Sequence, residues 1–374
     1  MSAVAIRIVR EAIAGTYRDL GEVRLTGPRG RRCAVTTLAV ALAVVVALAV
    51  HVDDALWAAI SAFVCSQATA PASVQRGALR ILGTFGGATL AVLASPLLAG
   101  DDVALILTLL AVSTAGVLGQ LVGRYGYAWL LGAVTADMVL MALLSDPGSA
   151  LAVGVNRSAE VTIGTVAAMT VALLLGAPAA AAPAIRESQW TDLLGEQWPS
   201  MRHAIQAGVG VMLIPLVWRW LELPNMGQSA ITVAAAMAVP ALTNDAAIDQ
   251  AKITERAIHR ILGCLLGGVA GLACLTLSID NFLLWLLALS AGIWVAAHVQ
   301  ASERGVSYVG TQFAVVLIST LVQGSEPPAS IWPGIERFVG ITGGVVILLA
   351  VVMLTSPEIK PPAAPPESAL CRNQ

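Results

Sequence analysis

Apolar residues run along this chain in long blocks, separated by short polar or charged turns. Charge-poor stretches lie near 34–50, 55–70, 79–99, 103–123, 126–144 and 157–176. A second series lies near 203–221, 228–243, 257–279, 281–301, 306–323 and 334–355. Most approach the ~20 residues that a helix needs to cross the hydrocarbon core of a bilayer. The pattern therefore predicts an all-α integral membrane protein of about 12 transmembrane helices. The segments 55–70 and 228–243 are short and rich in Ala, Ser and Thr, so their ends are the least defined. Ahead of the first block, residues 4–20 place Ile6, Val9, Ile13, Tyr17 and Leu20 on one helical face and Arg7, Arg10 and Arg18 elsewhere. That face predicts a short helix lying in the headgroup layer.

The two series are related. Arg76, Arg80, Arg124 and Arg157 recur 180 residues later as Arg256, Arg260, Arg304 and Arg337. Ile81-Leu82-Gly83 recurs as Ile261-Leu262-Gly263, Gly87 as Gly267, Gln120 as Gln300 and Gly164 as Gly344. Ser145 and Pro147 likewise match Ser325 and Pro327. A register kept through polar and glycine positions points to duplication, not to shared hydrophobicity. An even number of spans per half makes the repeats parallel, related by a pseudo-two-fold axis along the membrane normal. The expected organisation is an amphipathic arm at 1–33, a first six-helix repeat at 34–176, a linker at 177–202, a second repeat at 203–355 and a disordered Pro-rich tail at 356–374.

Charge then orients the chain. With both termini cytoplasmic, the arm, the even-numbered loops, the linker and the tail hold all the Lys and Arg residues except Arg157, Arg219 and Arg337. The opposite loops carry Asp53, Asp54, Asp101, Asp102, Asp146, Glu222, Asp280 and Glu326. The expected location is the bacterial cytoplasmic membrane, with several passes. Net charge of −2 carries no nucleic-acid signal. Cys33, Cys65, Cys264, Cys274 and Cys371 are scattered without CxxC or histidine spacing, which argues against a disulfide framework or metal site. There is no Walker A, HExxH or GxSxG motif, so neither ATP-driven transport nor an enzyme is expected, and no cofactor.

The candidate chemistry is cationic. Arg76 and Arg80 share a helix face in RGALRILGTFGG at 76–87, echoed by Arg256 and Arg260 in RAIHRILGCLLGG at 256–268. They either anchor to lipid phosphates or form a cytoplasmic vestibule for organic anions, the pairs facing each other across the axis. Gly83, Gly87, Gly263 and Gly267 are read as helix-packing positions. Arg157 and Arg337 oppose the positive-inside bias, so each is expected to have a local acidic partner (Glu160, Glu336) or an outer anion site. Asp137 is an intramembrane acid whose repeat-mate is Leu317; it is either a proton-coupling group or a hydrogen-bonded structural residue. His259 and His298 are titratable but isolated.

The run ALWAAISAFVCSQ at 55–67 leading into RGALRILGTFGG, and SAITVAAAMAVP at 229–240 leading into RAIHRILGCLLGG, resemble the fusaric-acid-resistance (FUSC) family. That family includes aromatic acid exporters. A more distant likeness is to the plant aluminium-activated malate transporters, whose paired six-span units line an anion pore with basic residues. The resemblance covers about 34–176 and 203–355. It implies export of aromatic carboxylates or related acids, with Arg76, Arg80, Arg256 and Arg260 as the basic lining. The second copy departs at Trp57, replaced by Ser or Ala, and at Thr84, replaced by Cys264. Many exporters of the family carry large cytoplasmic regions after the six-span unit, where this chain has only the short linker at 177–202. Three functions remain: an anion exporter, a passive anion channel, or a non-transporting scaffold of envelope machinery. The partners expected are lipids and a small organic anion; a homo-oligomer or a periplasmic adaptor is left open.

Overall fold

The computed structural model describes residues 2–23, 25–178, 187–191, 193–221, 226–238, 246–277, 279, 281–324, 330 and 332–355. The tail at 356–374 with Cys371, part of the linker, and Glu222, Asp280, Ser325, Glu326 and Pro327 lie outside them. The chain is an all-helical multi-pass membrane protein. Its first six helices are α1 (Ser2–Gly21), α2 (Gly27–Ala49), α3 (Ala55–Cys65), α4 (Ala70–Leu98), α5 (Asp102–Val122) and α6 (Gly126–Ser145). They are followed by α7 (Ala150–Leu175), α8 (Trp198–Leu221), α9 (Met226–Met237) and α10 (Ala246–Thr276). The last three are α11 (Phe282–Gln300), α12 (Ser307–Leu321) and α13 (Trp332–Thr355). Among the described residues, nine helices are long and apolar enough to cross a membrane.

Local chemistry sets many of the ends. Pro28 and Pro71 sit in the first turns of α2 and α4, where the missing N–H costs no helical bond. Asp54, Asp101 and Asn281 accept backbone N–H groups at the starts of α3, α5 and α11. Because α2 begins at Gly27, Arg29, Arg31 and Arg32 ride on its first turns.

Contacts between helix ends show an up-and-down arrangement. At one end, here the arm end, Arg31 donates to the Leu175 and Gly176 carbonyls, Thr69 bridges to Ala177, and Gln206 of α8 reaches Thr355 of α13. At the opposite end, Asn156 bonds Asp53, Arg219 meets Asp102 at 2.9 Å, and the Trp285 indole donates to the Leu321 carbonyl. The arm helix α1 packs on α10 and α11 through Ala12, Thr16 and Asp19. Its apolar face, Ile6, Val9, Ile13, Tyr17 and Leu20, is turned away from the protein.

The two halves do not form separate bundles facing one another. One core joins α2, α3 and α7 to α11 and α12; the other joins α5 and α6 to α8, α9 and α13. Counting the halves from α2 and from α8, the first helix of each packs on the fourth of the other: α2 on α11, and α8 on α5. The third of each lies against the fifth of the same half, α4 on α6 and α10 on α12.

Glycine makes the α4–α6 and α10–α12 pairs close. A Cβ at Gly83 or Gly87 would collide with the backbones of Ala128 and Gly132, and one at Gly263 or Gly267 with those of Val309 and Phe313. These contacts correct the register. Positions on α4 and α10 correspond at 180 residues, but those on α6 and α12 correspond at 181, so Ile318 and not Leu317 holds the place of Asp137. Gly164 abuts Ala58 and Gly344 abuts Ser229, which sets α3 and α9 171 residues apart and puts Gln228 at the place of Trp57.

Two helices stop far short of a full crossing. The 11 residues of α3 span ~17 Å, well below the ~30 Å hydrocarbon core. Its small residues, Ala58, Ala59, Ser61 and Ala62, are fully buried among the longer helices. The 12-residue α9 is buried in the same manner.

Candidate functional site

Two tyrosines organise the paired arginines. Tyr127, near the start of α6, offers its ring face to Arg76 at 4.1 Å and its hydroxyl to Arg80, which donates through Nη1 at 3.0 Å. Tyr308, near the start of α12, does the same for Arg256 at 4.2 Å and Arg260 at 3.0 Å. A ring face attracts a cation through its quadrupole, while the hydroxyl oxygen supplies an acceptor, so one residue holds two guanidiniums. Arg80 also donates to Ser61 of α3, at 3.1 Å, and Arg260 to Thr232 of α9, at 3.1 Å. Arg80 and Arg260 are 6% and 2% exposed. Neither points to lipid, and neither stands free at a helix end; Arg80 lies ten residues into α4, ~15 Å along it.

Arg157 and Arg337 enter from the opposite end, on α7 and α13. Both guanidiniums lie over one ring, that of Trp57 on α3, at 3.7 and 5.4 Å. Trp57 and Ser61 are one turn apart, so Arg80 meets Arg157 and Arg337 along α3. Arg157 lies within electrostatic reach of Arg80, and Arg337 within reach of both Arg260 and Arg157. The four, with Arg80, Arg260 and Arg337 buried and Arg157 half-buried, form a cationic row drawn from α4, α7, α13 and α10.

Counterions are few. Glu160 pairs with Arg157 at 3.3 Å, as the sequence spacing predicts. Arg337 is buried and, among the described residues, has no carboxylate partner; its Nε has no acceptor. Glu336 is not paired with it, and the place of Glu160 in the second half is Gly340, whose carbonyl is taken by Ser229 at 2.7 Å. Asp54, at the start of α3, is the other nearby acid. Burial pushes its carboxyl above the usual range, against the pull of Arg157 and, more weakly, of Arg337.

Asp137 stands apart from the row. It is fully buried on α6 and accepts from the Ser113 hydroxyl of α5 at 2.6 Å, leaving Oδ1 without a partner. His259 and His298 are both buried. Arg124 is exposed beside Tyr125, whereas Arg304 binds Asp19 and Glu22 of the arm, so this matched pair has diverged.

Sequence reasoning missed Trp57, Tyr127, Tyr308, Ser61 and Thr232 as parts of the site. The tyrosines escape a strict 180-residue comparison because of the one-residue slip before α6 and α12.

Residues 40–171 match the model of a family described as fusaric acid resistance protein-like. That region of the chain, about a third of its length, is similar to the family's model. The matched region holds α3, α4, α6 and most of α7, hence Trp57, Arg76, Arg80, Tyr127 and Arg157, so half of the arginine row lies within it. No curated protein and no solved structure gives a significant match to the chain.

Proposed function

We propose that this membrane protein exports small organic anions, aromatic carboxylates foremost, along a path lined by the arginine row. Its halves act as parallel six-helix repeats about a pseudo-two-fold axis, with the arm end and both termini cytoplasmic in a bacterial inner membrane. The twelve membrane helices include the short α3, α9 and α12, of which α3 and α9 stop well short of a full crossing. This shortness lets water and solute reach inward from the outer face. Transport involves no covalent chemistry or cofactor, and the partners required are lipid and the anion itself.

One observation carries this proposal. Arg157 and Arg337, one from each half, converge on Trp57, and Arg337 has no carboxylate within ion-pair distance among the described residues, with Asp54 acting on it only from further off. A buried cation without a counterion is costly in a membrane, by at least ~2.5 kcal/mol, unless a ligand or water supplies one. A guest carboxylate can accept two parallel N–H bonds from a guanidinium, which is the geometry an arginine favours. A ring on that guest has Trp57 beside it. The matched pairs Arg76/Arg80 and Arg256/Arg260 would hold the potential positive toward the cytoplasmic side and gather anions there. Burial of the arginines, which a scaffold anchored to lipid would not need, favours transport over the scaffold.

The test is efflux of labelled benzoate from proteoliposomes by the wild-type chain and by Arg337→Gln. Loss of at least about tenfold in rate, equal to ~1.4 kcal/mol, is expected. An unchanged rate would remove Arg337 from the path. A proton-coupled carrier would use Asp137, the sole acid of α6; a passive channel would not. Asp137→Asn separates them, because gradient-driven export collapses in the first and flux persists in the second.

A further inference from the structure

At the arm end a cavity of about 900 Å³ opens between the first and second halves. Its walls come from the arm, the first turns of α2, the break after α3, the end of α7 and the loop between α11 and α12. Four arginines face it, Arg29, Arg31, Arg32 and Arg304, against Asp19, Glu22 and Glu303.

Three of those arginines are already engaged. Arg31 donates to the Leu175 and Gly176 carbonyls, both at 2.9 Å, and so closes the end of α7. Arg29 donates to the His298 carbonyl at 2.6 Å and to Asp19 at 3.2 Å. Arg304 binds Asp19 at 2.6 Å and Glu22 at 2.8 Å. Asp19 thus clamps a guanidinium of each half. Arg32 differs: its Nε is buried without an acceptor, and no ion pair includes it among the described residues. Beside it, Val35, Ala68 and Ala177 supply apolar wall. The cavity therefore offers one unanswered guanidinium, held on a helix that Arg29 and Arg31 fix at both sides, next to a surface that suits a ring or short chain.

We propose that this cavity is a second anion site, distinct from the arginine row, which takes a monocarboxylate with an aromatic or short apolar body through Arg32. The inference builds on the export reading, in which it is the cytoplasmic loading site. Arg32 binds the carboxylate and the apolar wall takes the body, and with the other guanidiniums already engaged the site answers a single negative charge. The break at Ser66–Thr69 separates the cavity from α3, so a guest here does not touch Trp57.

Equilibrium binding of labelled benzoate to the full chain in nanodiscs tests this. Wild type should show saturable binding at both sites. Arg32→Gln should remove about half of it at saturation, and Arg337→Gln the other half. Should Arg32→Gln fail to fold, Ala68→Trp, which fills the cavity without touching a charge, should cause the same loss. Binding in Arg32→Gln and Ala68→Trp that equals wild type in amount and affinity overturns the cavity site, as does the absence of any saturable binding to wild type. Lost efflux in Arg337→Gln alongside full binding in Arg32→Gln overturns the cavity and leaves the arginine row standing. Normal efflux in Arg337→Gln with half the binding lost in Arg32→Gln does the reverse.

Discussion

Glu160 and Gly340 mark the sharpest difference between the two halves. A carboxylate answers Arg157, and a glycine at the matching place leaves Arg337 open. Glu160 then competes with any guest for Arg157, so Glu160→Gln should lower the apparent KM for benzoate by roughly fivefold, ~1 kcal/mol. A KM that does not fall in efflux assays would show that Glu160 only holds Arg157 in place. Trp57→Ala removes the surface shared by Arg157 and Arg337 and should cut benzoate efflux about tenfold or more, while Trp57→Phe should retain most of it. The arginines were legible in the sequence because charge is rare in such a chain and its repetition stands out. Their partners were not. Trp57, Tyr127 and Ser61 are ordinary residues in apolar helices, and only their placement against a guanidinium gives them a role. The acid partner expected for Arg337 in Glu336 also failed to form, since adjacent residues on a helix point about 100° apart.

Helix existence was readable from hydropathy, and the arm and twelve later helices fall where the apolar blocks predict them. Lengths were harder. α3, α9 and α12 are shorter than their blocks because burial among neighbours, not contact with lipid, selects their residues. Hydropathy cannot distinguish those two reasons for being apolar. Close packing is also specific at this level. Gly83 was legible as a packing position, and the structure identifies what it packs on: the Ala128 backbone of α6. Gly83→Leu should therefore destabilise the α4–α6 pair by about 1–3 kcal/mol. A thermal-shift measurement in detergent should show a lower melting temperature, and the parallel change Gly86→Leu, where nothing lies within 4 Å, should show almost none.

The interleaving of the halves was invisible in the sequence, because periodicity reports which face of a helix is apolar and not which helix covers it. Two cores, each built from both halves, mean that neither half can bury its apolar surface alone. Residues 1–190 and 191–374 expressed separately should each aggregate, and their co-expression should restore a monodisperse complex on size exclusion. A stable, monodisperse first half on its own would contradict the shared cores. The same interleaving explains how arginines of α7 and α13 reach one indole: α3 carries Trp57 into the seam where α12 packs. The most direct measurement of this arrangement is the anomalous signal of 4-bromobenzoate bound to the crystallised protein. A bromine peak beside Trp57, with its carboxylate on Arg337, is the result predicted. Bromine found only away from the four arginines, or those side chains turned out to lipid, would contradict it.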